Sequence, residues 1–325
     1  MRVCVCVCVC VCVCARACVR TRHLVQVEEL DEFIASMKAC PKSGLHNPFR
    51  NLDRYLLLGA VSNKAGQALR TPEIADFFAK LIQRTSPKSY AQAMGEVNIC
   101  AQFLDNFSGD NVRYLARSFG APGDYDGQVS RGYRVPYGGV ALITPFNFPL
   151  EIPVLQLMGA LYMGNRPVLK VDSKTSVVMD QFLRLLIACG LPPTDVDFIN
   201  CDGPVMHKLL MKGEPRMTLF TGSSRVAERL AKDLRGKIKI EDAGFDWKIL
   251  GPDVRDMDYV AYTCDQDAYA CSGQKCSAQS MLFVHRNWSK AGILEKLKEL
   301  AERRSLTDLT CGPVLTWTTE AMLVR

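Results

Sequence analysis

Five short apolar runs recur between residues 138 and 241: Val140–Ile143, Pro167–Val171, Val196–Ile199, Met217–Thr221 and Ile238–Glu241. Val140–Ile143 is a continuous apolar run, as expected of a strand buried on both faces, and the other four read as short strands. Between them lie segments of helical period, expected over 149–163, from Ser173 to Cys189, over Pro204–Met211 and over Ser223–Leu234. The last carries Val226, Leu230 and Leu234 on one expected face and Gly236 just past its end. Strand and helix in strict alternation predict an α/β fold with a doubly wound parallel sheet. Neither G-x-G-x-x-G nor G-x-x-x-x-G-K-[ST] occurs, so the usual dinucleotide and phosphate-loop fingerprints are absent.

The flanking segments read differently. Leu24 to Met37 carries apolar residues at helical spacing, a second helix starts at Asp53, and Thr71-Pro72-Glu73 has the form of an N-cap followed by a first-turn proline. A long helix is expected through Ala91–Leu115, and the Gly- and Pro-rich stretch 118–136 predicts a hairpin or connector. Residues 3–14 are Val-Cys repeated six times. An in-frame GT repeat translates to that peptide, so residues 1–23 are expected to be low complexity outside the fold. A metal- or redox-responsive thiol ladder is the competing expectation for the tract. Arginines at 2, 16, 20 and 22 and no acidic residue before Glu28 give a weak organelle-targeting bias.

Composition narrows the class. A chain of 325 residues has room for two domains, and its 48% hydrophobic and 23% charged content is ordinary for a globular protein. The net charge of +6 is dispersed, without a basic run or an aromatic–basic platform, so no nucleic-acid partner is expected. No apolar stretch is long enough to span a membrane. Seven of the 15 cysteines fall in the first 18 residues, and the other eight are scattered as reduced thiols would be. The four histidines sit at no zinc-site spacing, so no metal is expected.

Several segments could carry chemistry. Cys276, in Gly273-Gln274-Lys275-Cys276-Ser277-Ala278, is flanked by polar residues, and Lys275 could favour its thiolate; Cys271 is the rival thiol. Glu241 ends a strand and could serve as a base if partly buried, with Asp242 and Asp246 as rival carboxylates. A thiol nucleophile with a separate base is the pair needed to make and then hydrolyse a thioester. Asn147, just after the first apolar run, could donate to an oxyanion or be a turn asparagine. Lys170 at a strand end could reach a ribose or phosphate, or be a solvated strand end. Gly222-Ser223-Ser224, where strand meets helix, could admit a phosphate or form an ordinary serine cap.

Taken together, ITPFNFP, PVLK, FTGSS, the Glu241 segment and GQKC resemble the aldehyde dehydrogenase superfamily in order and spacing. The resemblance covers about 40–325, and within the superfamily GQKCSA is similar to the pyrroline-5-carboxylate dehydrogenase branch of plant mitochondrial type. It implies a Rossmann-like domain built from 24–117 and 137–243, an oligomerisation hairpin at 118–136 and part of a catalytic domain at 244–325. Cys276 would be the nucleophile, Glu241 the general base and Asn147 the oxyanion donor. The NAD site would be drawn from Thr144, Pro145, Phe146, Lys170, Ser173, Gly203, Gly222, Ser223 and Val226. Phe146 stands where many relatives have Trp, and Ser173 where many NAD-using relatives have Glu, which leaves NAD against NADP open. The implied reaction oxidises a small-molecule aldehyde, glutamate semialdehyde, to glutamate in proline catabolism, in a homo-oligomer of the mitochondrial matrix.

One departure is expected to matter. The chain carries no later motif of the EIFGP type, no substrate-anchoring loop and no C-terminal pairing strand of the family. The resemblance therefore carries a second expectation, a truncated and inactive chain that retains at most nucleotide or partner binding. Exposed apolar surface should follow.

Overall fold

A computed structural model describes residues 31, 34, 35, 38, 52–109, 119–132 and 134–316. The Val-Cys tract, and with it both readings of residues 1–23, lies outside the described residues. So does most of the expected helix from Leu24 to Met37, of which Asp31, Ile34 and Ala35 are described and helical, as is Lys38 just beyond it.

Three helices come first: α1 (Leu52–Arg70), α2 (Pro72–Thr85) and α3 (Tyr90–Asn106). Thr71 does precede α2 with Pro72 in the first turn, but its hydroxyl donates back to the Gln67 carbonyl rather than capping. Ser89 caps α3 by accepting from the Gln92 amide at 3.3 Å. The helix expected to reach Leu115 stops at Asn106. Ser108 donates to the Asp105 carbonyl and Gly109 turns to φ +55°, a turn signal that the apolar period had masked. Strands β1 (Phe119–Pro122) and β2 (Val129–Gly132) then form the expected antiparallel hairpin.

The centre is a five-stranded sheet. Its strands are β3 (Gly139–Ile143), β4 (Arg166–Lys170), β5 (Asp197–Phe198), β6 (Met217–Thr221) and β7 (Ile238–Glu241). Their order is β5-β4-β3-β6-β7 and every pairing is parallel. The connecting helices are α4 (Glu151–Tyr162), α5 (Ser176–Ala188), α6 (Gly203–Gly213) and α7 (Ser224–Leu234).

Side chains of β3 point alternately to the two faces, and both faces are buried. Val140 and Leu142 join one core with α1 to α5, including Leu58, Leu104, Leu157 and Phe182. Ala141 and Ile143 join the other with Met206, Leu210, Ala227, Leu230 and Leu234 from α6 and α7. That two-sided burial is why the run is apolar throughout. Val226, expected on the buried face of α7, is 40% exposed; Ala227 takes the place, because the face turned to the sheet follows 227, 230 and 234.

A second unit follows. Strands β8 (Asp246–Leu250) and β9 (Gln279–Val284) pair in parallel, joined through α8 (Met257–Ala268), and α9 (Arg286–Lys290) and α10 (Ile293–Glu302) complete it. A small core of Leu250, Ala261, Cys264, Trp288 and Ile293 holds the helices on one face. The other side exposes Trp247, Ile249, Met281 and Phe283. No helix among the described residues is long and apolar enough to cross a membrane.

Candidate active site

The strand order places a switch point between β3 and β6, where successive connections leave in opposite directions. In open α/β sheets the ligand crevice lies at such a point, beyond the carboxyl ends of the strands. The register sets what lines it. Lys170 pairs with Ile143, Ile143 with Phe220, and Thr221 with Glu241. At about 4.8 Å per strand, Lys170, Thr144, Thr221 and Glu241 span roughly 14 Å of one edge.

Each expected nucleotide-binding residue lies on or near this edge. Thr144 is buried and its amide donates to the Lys170 carbonyl at 3.1 Å, closing the first β–α turn onto β4. Its hydroxyl oxygen is buried without a hydrogen-bond partner among the described residues. Pro145 and Phe146 are half-buried, and the Lys174 ammonium lies 5.6 Å from the Phe146 ring centre. Ser173 is exposed in the turn after β4, its carbonyl accepting from the Ser176 hydroxyl. Gly203 is the first residue of α6, where Asp202 caps by accepting from the Val205 amide at 2.8 Å. Gly222 is pinned by its amide to the Glu241 carbonyl at 3.2 Å, and a Cβ there would lie 2.7 Å from the Phe220 ring.

Ser223 occupies the N-cap of α7, yet its side chain makes no cap hydrogen bond, unlike the ordinary serine cap that was one of the two expectations. The Val226 and Ala227 amides donate to the Ser223 carbonyl, so the start of α7 is left without a side-chain cap at the positive end of the helix, with Val226 exposed in its first turn. A buried orphan hydroxyl, a glycine closely packed on Phe220 and an uncapped helix start together fit a dinucleotide pyrophosphate. Among the described residues no cluster of three or more His, Cys, Asp and Glu could hold a metal ion.

The chemistry-bearing stretches meet through side-chain to backbone hydrogen bonds, the first from the Asn147 Nδ2, and through close packing. The Asn147 amide nitrogen donates to the Gln274 carbonyl at 2.9 Å, across 127 residues of chain. The Cys271 thiol donates to the Asn147 carbonyl at 3.4 Å. Gly244 packs so closely on the nucleophile loop that a Cβ there would lie 2.4 Å from the Cys276 carbonyl oxygen. The 147 turn and the 241–244 segment thus both touch the loop 271–276.

Within that loop Cys271, Ser272 and Gly273 take left-handed angles in succession, φ 50°, 53° and 78°. Such backbone is costly for non-glycine residues and persists only when its surroundings hold it. Ser272 donates to the Pro87 carbonyl and accepts from the Gly312 amide, each within 3 Å. Gln274 receives the Leu315 amide at 2.7 Å and donates to the Pro313 carbonyl at 3.1 Å.

The loop separates its two thiols. Cys271 is buried and burial pushes its thiol up to about 12, whereas Cys276 is only half-buried. Glu241 and Asp242 are exposed and Asp246 is half-buried, so the partial burial expected of Glu241 is absent.

Sequence reasoning passed over Lys88 and Glu96. Both are buried and form an ion pair behind the 147 turn. The signal was present: Glu96 interrupts the apolar stripe Ala93, Val97, Cys100, Leu104 of α3.

Comparison with known proteins places the chain in a family. Residues 57–318 match the model of the aldehyde dehydrogenase family. The chain is 67% identical over 304 residues to a mitochondrial delta-1-pyrroline-5-carboxylate dehydrogenase of Arabidopsis thaliana, covering 92% of this chain and 55% of that one. It is 30% identical over 271 residues to a 3-sulfolactaldehyde dehydrogenase of Priestia aryabhattai, covering 82% and 55%. A Sinorhizobium meliloti protein solved in complex with NAD superposes with a TM-score of 0.77 at 24% identity, over 90% of this chain and 59% of that one. The chain spans about half the length of these curated relatives.

Proposed function

Since the chain belongs to the aldehyde dehydrogenase family, we propose that its crevice oxidises an aldehyde to a carboxylic acid with NAD or NADP. Cys276 is the nucleophile in this reading, because it is the accessible thiol of a loop whose other cysteine is buried with its proton held. Its thiolate adds to the carbonyl carbon, the C–S bond forms, and the π pair moves to oxygen. Asn147 then donates an amide N–H to that oxygen; its other N–H is tied to Gln274, which fixes the plane of the amide.

Thr144, Lys170, Gly222, Ser223 and the start of α7 would hold the dinucleotide, with Pro145, Phe146, Ser173, Gly203 and Val226 around it. Collapse of the oxyanion to C=O breaks the C–H bond of the adduct carbon and leaves a thioester on Cys276, and a nicotinamide bound at this edge would be the acceptor of that hydride. Glu241 and Asp242 face solvent, so a water can reach the carboxylate that activates it. Glu241 is the assigned base, since it ends β7 beside Gly222. Attack of that water on the thioester carbonyl frees the acid and returns the thiol.

The substrate we favour is L-glutamate 5-semialdehyde, formed by ring opening of pyrroline-5-carboxylate, with NAD as acceptor and the mitochondrial matrix as location. The 67% identity to the Arabidopsis protein supports this. The β1–β2 hairpin is the segment we assign to contact between copies. The observation that carries the mechanism is the meeting of the 147 turn and the 241–244 segment on one cysteine loop.

The test is NADH formation from pyrroline-5-carboxylate by the purified chain and by Cys276→Ala. Turnover abolished by the substitution is expected. Turnover that survives it overturns the assignment. Nucleotide binding without any turnover would favour a binding-only role for the same fold.

A further inference from the structure

Helix α4 starts immediately after the Asn147 turn, and nothing local caps it. Leu150 stands at its N-cap and offers no side-chain acceptor. Its first amides are claimed from another helix instead. The Glu96 Oε1 accepts from the Leu150 amide at 2.8 Å and from the Glu151 amide at 3.0 Å. The other carboxylate oxygen is paired with the Lys88 ammonium. Lys88 and Glu96 side chains are 1% and 0% exposed. The Lys88 nitrogen also sits 3.5 Å from the ring centre of Phe148, the residue after Asn147.

The turn is therefore held at three successive points. Asn147 is bonded to the Gln274 carbonyl, Phe148 lies under Lys88, and Leu150 and Glu151 are bonded to Glu96. Burying an ion pair here is expensive, and apolar residues of similar volume often serve stability as well or better. The rest of that face of α3 is apolar. Retaining a charge pair there is thus poorly explained by stability alone, whereas a two-fold acceptor aimed at the start of α4 fixes the turn that carries Asn147. A carboxylate at a helix start is also favoured by the helix dipole.

We propose that Glu96, supported by Lys88, is a positioning residue: its carboxylate caps α4 in trans and sets the Asn147 amide toward the oxyanion of an aldehyde adduct on Cys276. This rests on the roles given above to Asn147 and Cys276. Without the cap the turn can rotate, and the Asn147 N–H leaves the line to the oxygen. Among the described residues the turn is bonded to Gln274 and Cys271 and not to the Cys276 side chain, so alkylation reports on the thiol and aldehyde addition on the oxyanion donor.

Alkylation by iodoacetamide creates no oxyanion, while reversible addition of an aldehyde does. The experiment therefore follows iodoacetamide labelling of the Cys276 peptide by mass spectrometry, without nucleotide, over a range of propanal concentrations. Two neutral pairs are compared: Lys88→Met with Glu96→Gln, which keeps an acceptor oxygen, and Lys88→Met with Glu96→Leu, which does not. Neither leaves a lone buried charge.

Labelling rates without propanal should agree within about twofold for parent and both pairs. The propanal concentration that gives half protection should stay within about threefold of parent for the Gln pair. It should rise at least about 10-fold for the Leu pair and for Asn147→Ala, since loss of one oxyanion donor costs about 10²–10³. Glu96→Asp keeps the charge pair but withdraws the acceptor by roughly 1.5 Å. It should also raise the value at least about 10-fold, and it decides the matter if the Leu pair fails to melt cooperatively. Parent-like protection in the Leu pair or in Glu96→Asp, with Asn147→Ala impaired, overturns the role of Glu96 alone. Parent-like protection in Asn147→Ala, or none in the parent, overturns the assignment of Asn147 and this inference with it.

Discussion

Gly244→Ala tests the convergence of the site without removing any functional side chain. A Cβ on Gly244 would lie 2.4 Å from the Cys276 carbonyl oxygen and 2.6 Å from the Asp246 carboxylate. Ordinary contact begins near 3.4 Å, so the first overlap is 3.4 − 2.4 = 1.0 Å. The Asp246 side chain can swing away, but the carbonyl belongs to the backbone of the nucleophile loop. The loop, the 241–244 segment, or both must therefore shift by about 1 Å. Overpacking of this kind costs about 1–3 kcal/mol. A misplacement of about 1 Å at reacting groups lowers rate roughly 100-fold. If the proposed activity holds, turnover of pyrroline-5-carboxylate should fall by about that factor, while nucleotide affinity, set at the other strands of the edge, stays within about twofold. The melting midpoint should drop by a few degrees. Turnover and midpoint both at parental values would refute the close approach of these two segments and the reasoning built on it.

Other consequences follow from the same geometry. At pH 8, thiol alkylation should mark Cys276 and leave Cys271 unmodified in the folded chain, because burial holds the Cys271 proton to about 12; equal labelling by peptide mass analysis would contradict this. The raised folded-state value also has a sign for stability. The contribution of protonated Cys271 is complete below the ordinary thiol range near 9 and is lost as pH rises from 9 toward 12, so Cys271→Ala should flatten that alkaline loss in denaturant titrations. Arg304→Ala should cost about 3–5 kcal/mol in chemical denaturation, because Asp265, only 4% exposed, loses both hydrogen bonds from Arg304 and keeps only that from Gln266, and the Tyr269 ring loses its cation. Arg303→Ala, a surface i,i+4 pair, should cost no more than about 0.5 kcal/mol. Gln274→Ala should raise hydrogen exchange at the Leu315 and Thr316 amides at least about 10-fold, and unchanged exchange would show that the side chain does not hold that segment.

The centre of the sheet was legible because β3 is buried on both faces, whereas β7 at the edge is largely exposed. An element with no solvent side has an unbroken apolar run, and that pattern needs no partner to be read. The helix after Ser89 was legible at its start and not at its end. Its apolar period continues past Asn106, while the turn at Phe107 to Gly109 depends on backbone angles that periodicity does not report. The face of α7 was misjudged by one residue for a related reason. Val226 and Ala227 both fit the helical period, and packing against the sheet selected Ala227. Ser223 illustrates a different limit: its position at the cap was evident, but whether a hydroxyl caps or turns away is settled by geometry alone.

Residue order alone determined the parallel α/β architecture and the motif order that marks an aldehyde dehydrogenase family chain, because strand burial and short motifs are properties of neighbours along the chain. Tertiary structure decided the rest. It tied Asn147 to Gln274 and Gly244 to Cys276, buried one of the two loop thiols, and brought Lys88 and Glu96 behind the turn that carries Asn147. Those relations join residues separated by tens to more than a hundred positions. Burial and hydrogen bonding act on distance in space, which the order of residues does not contain until the chain has folded.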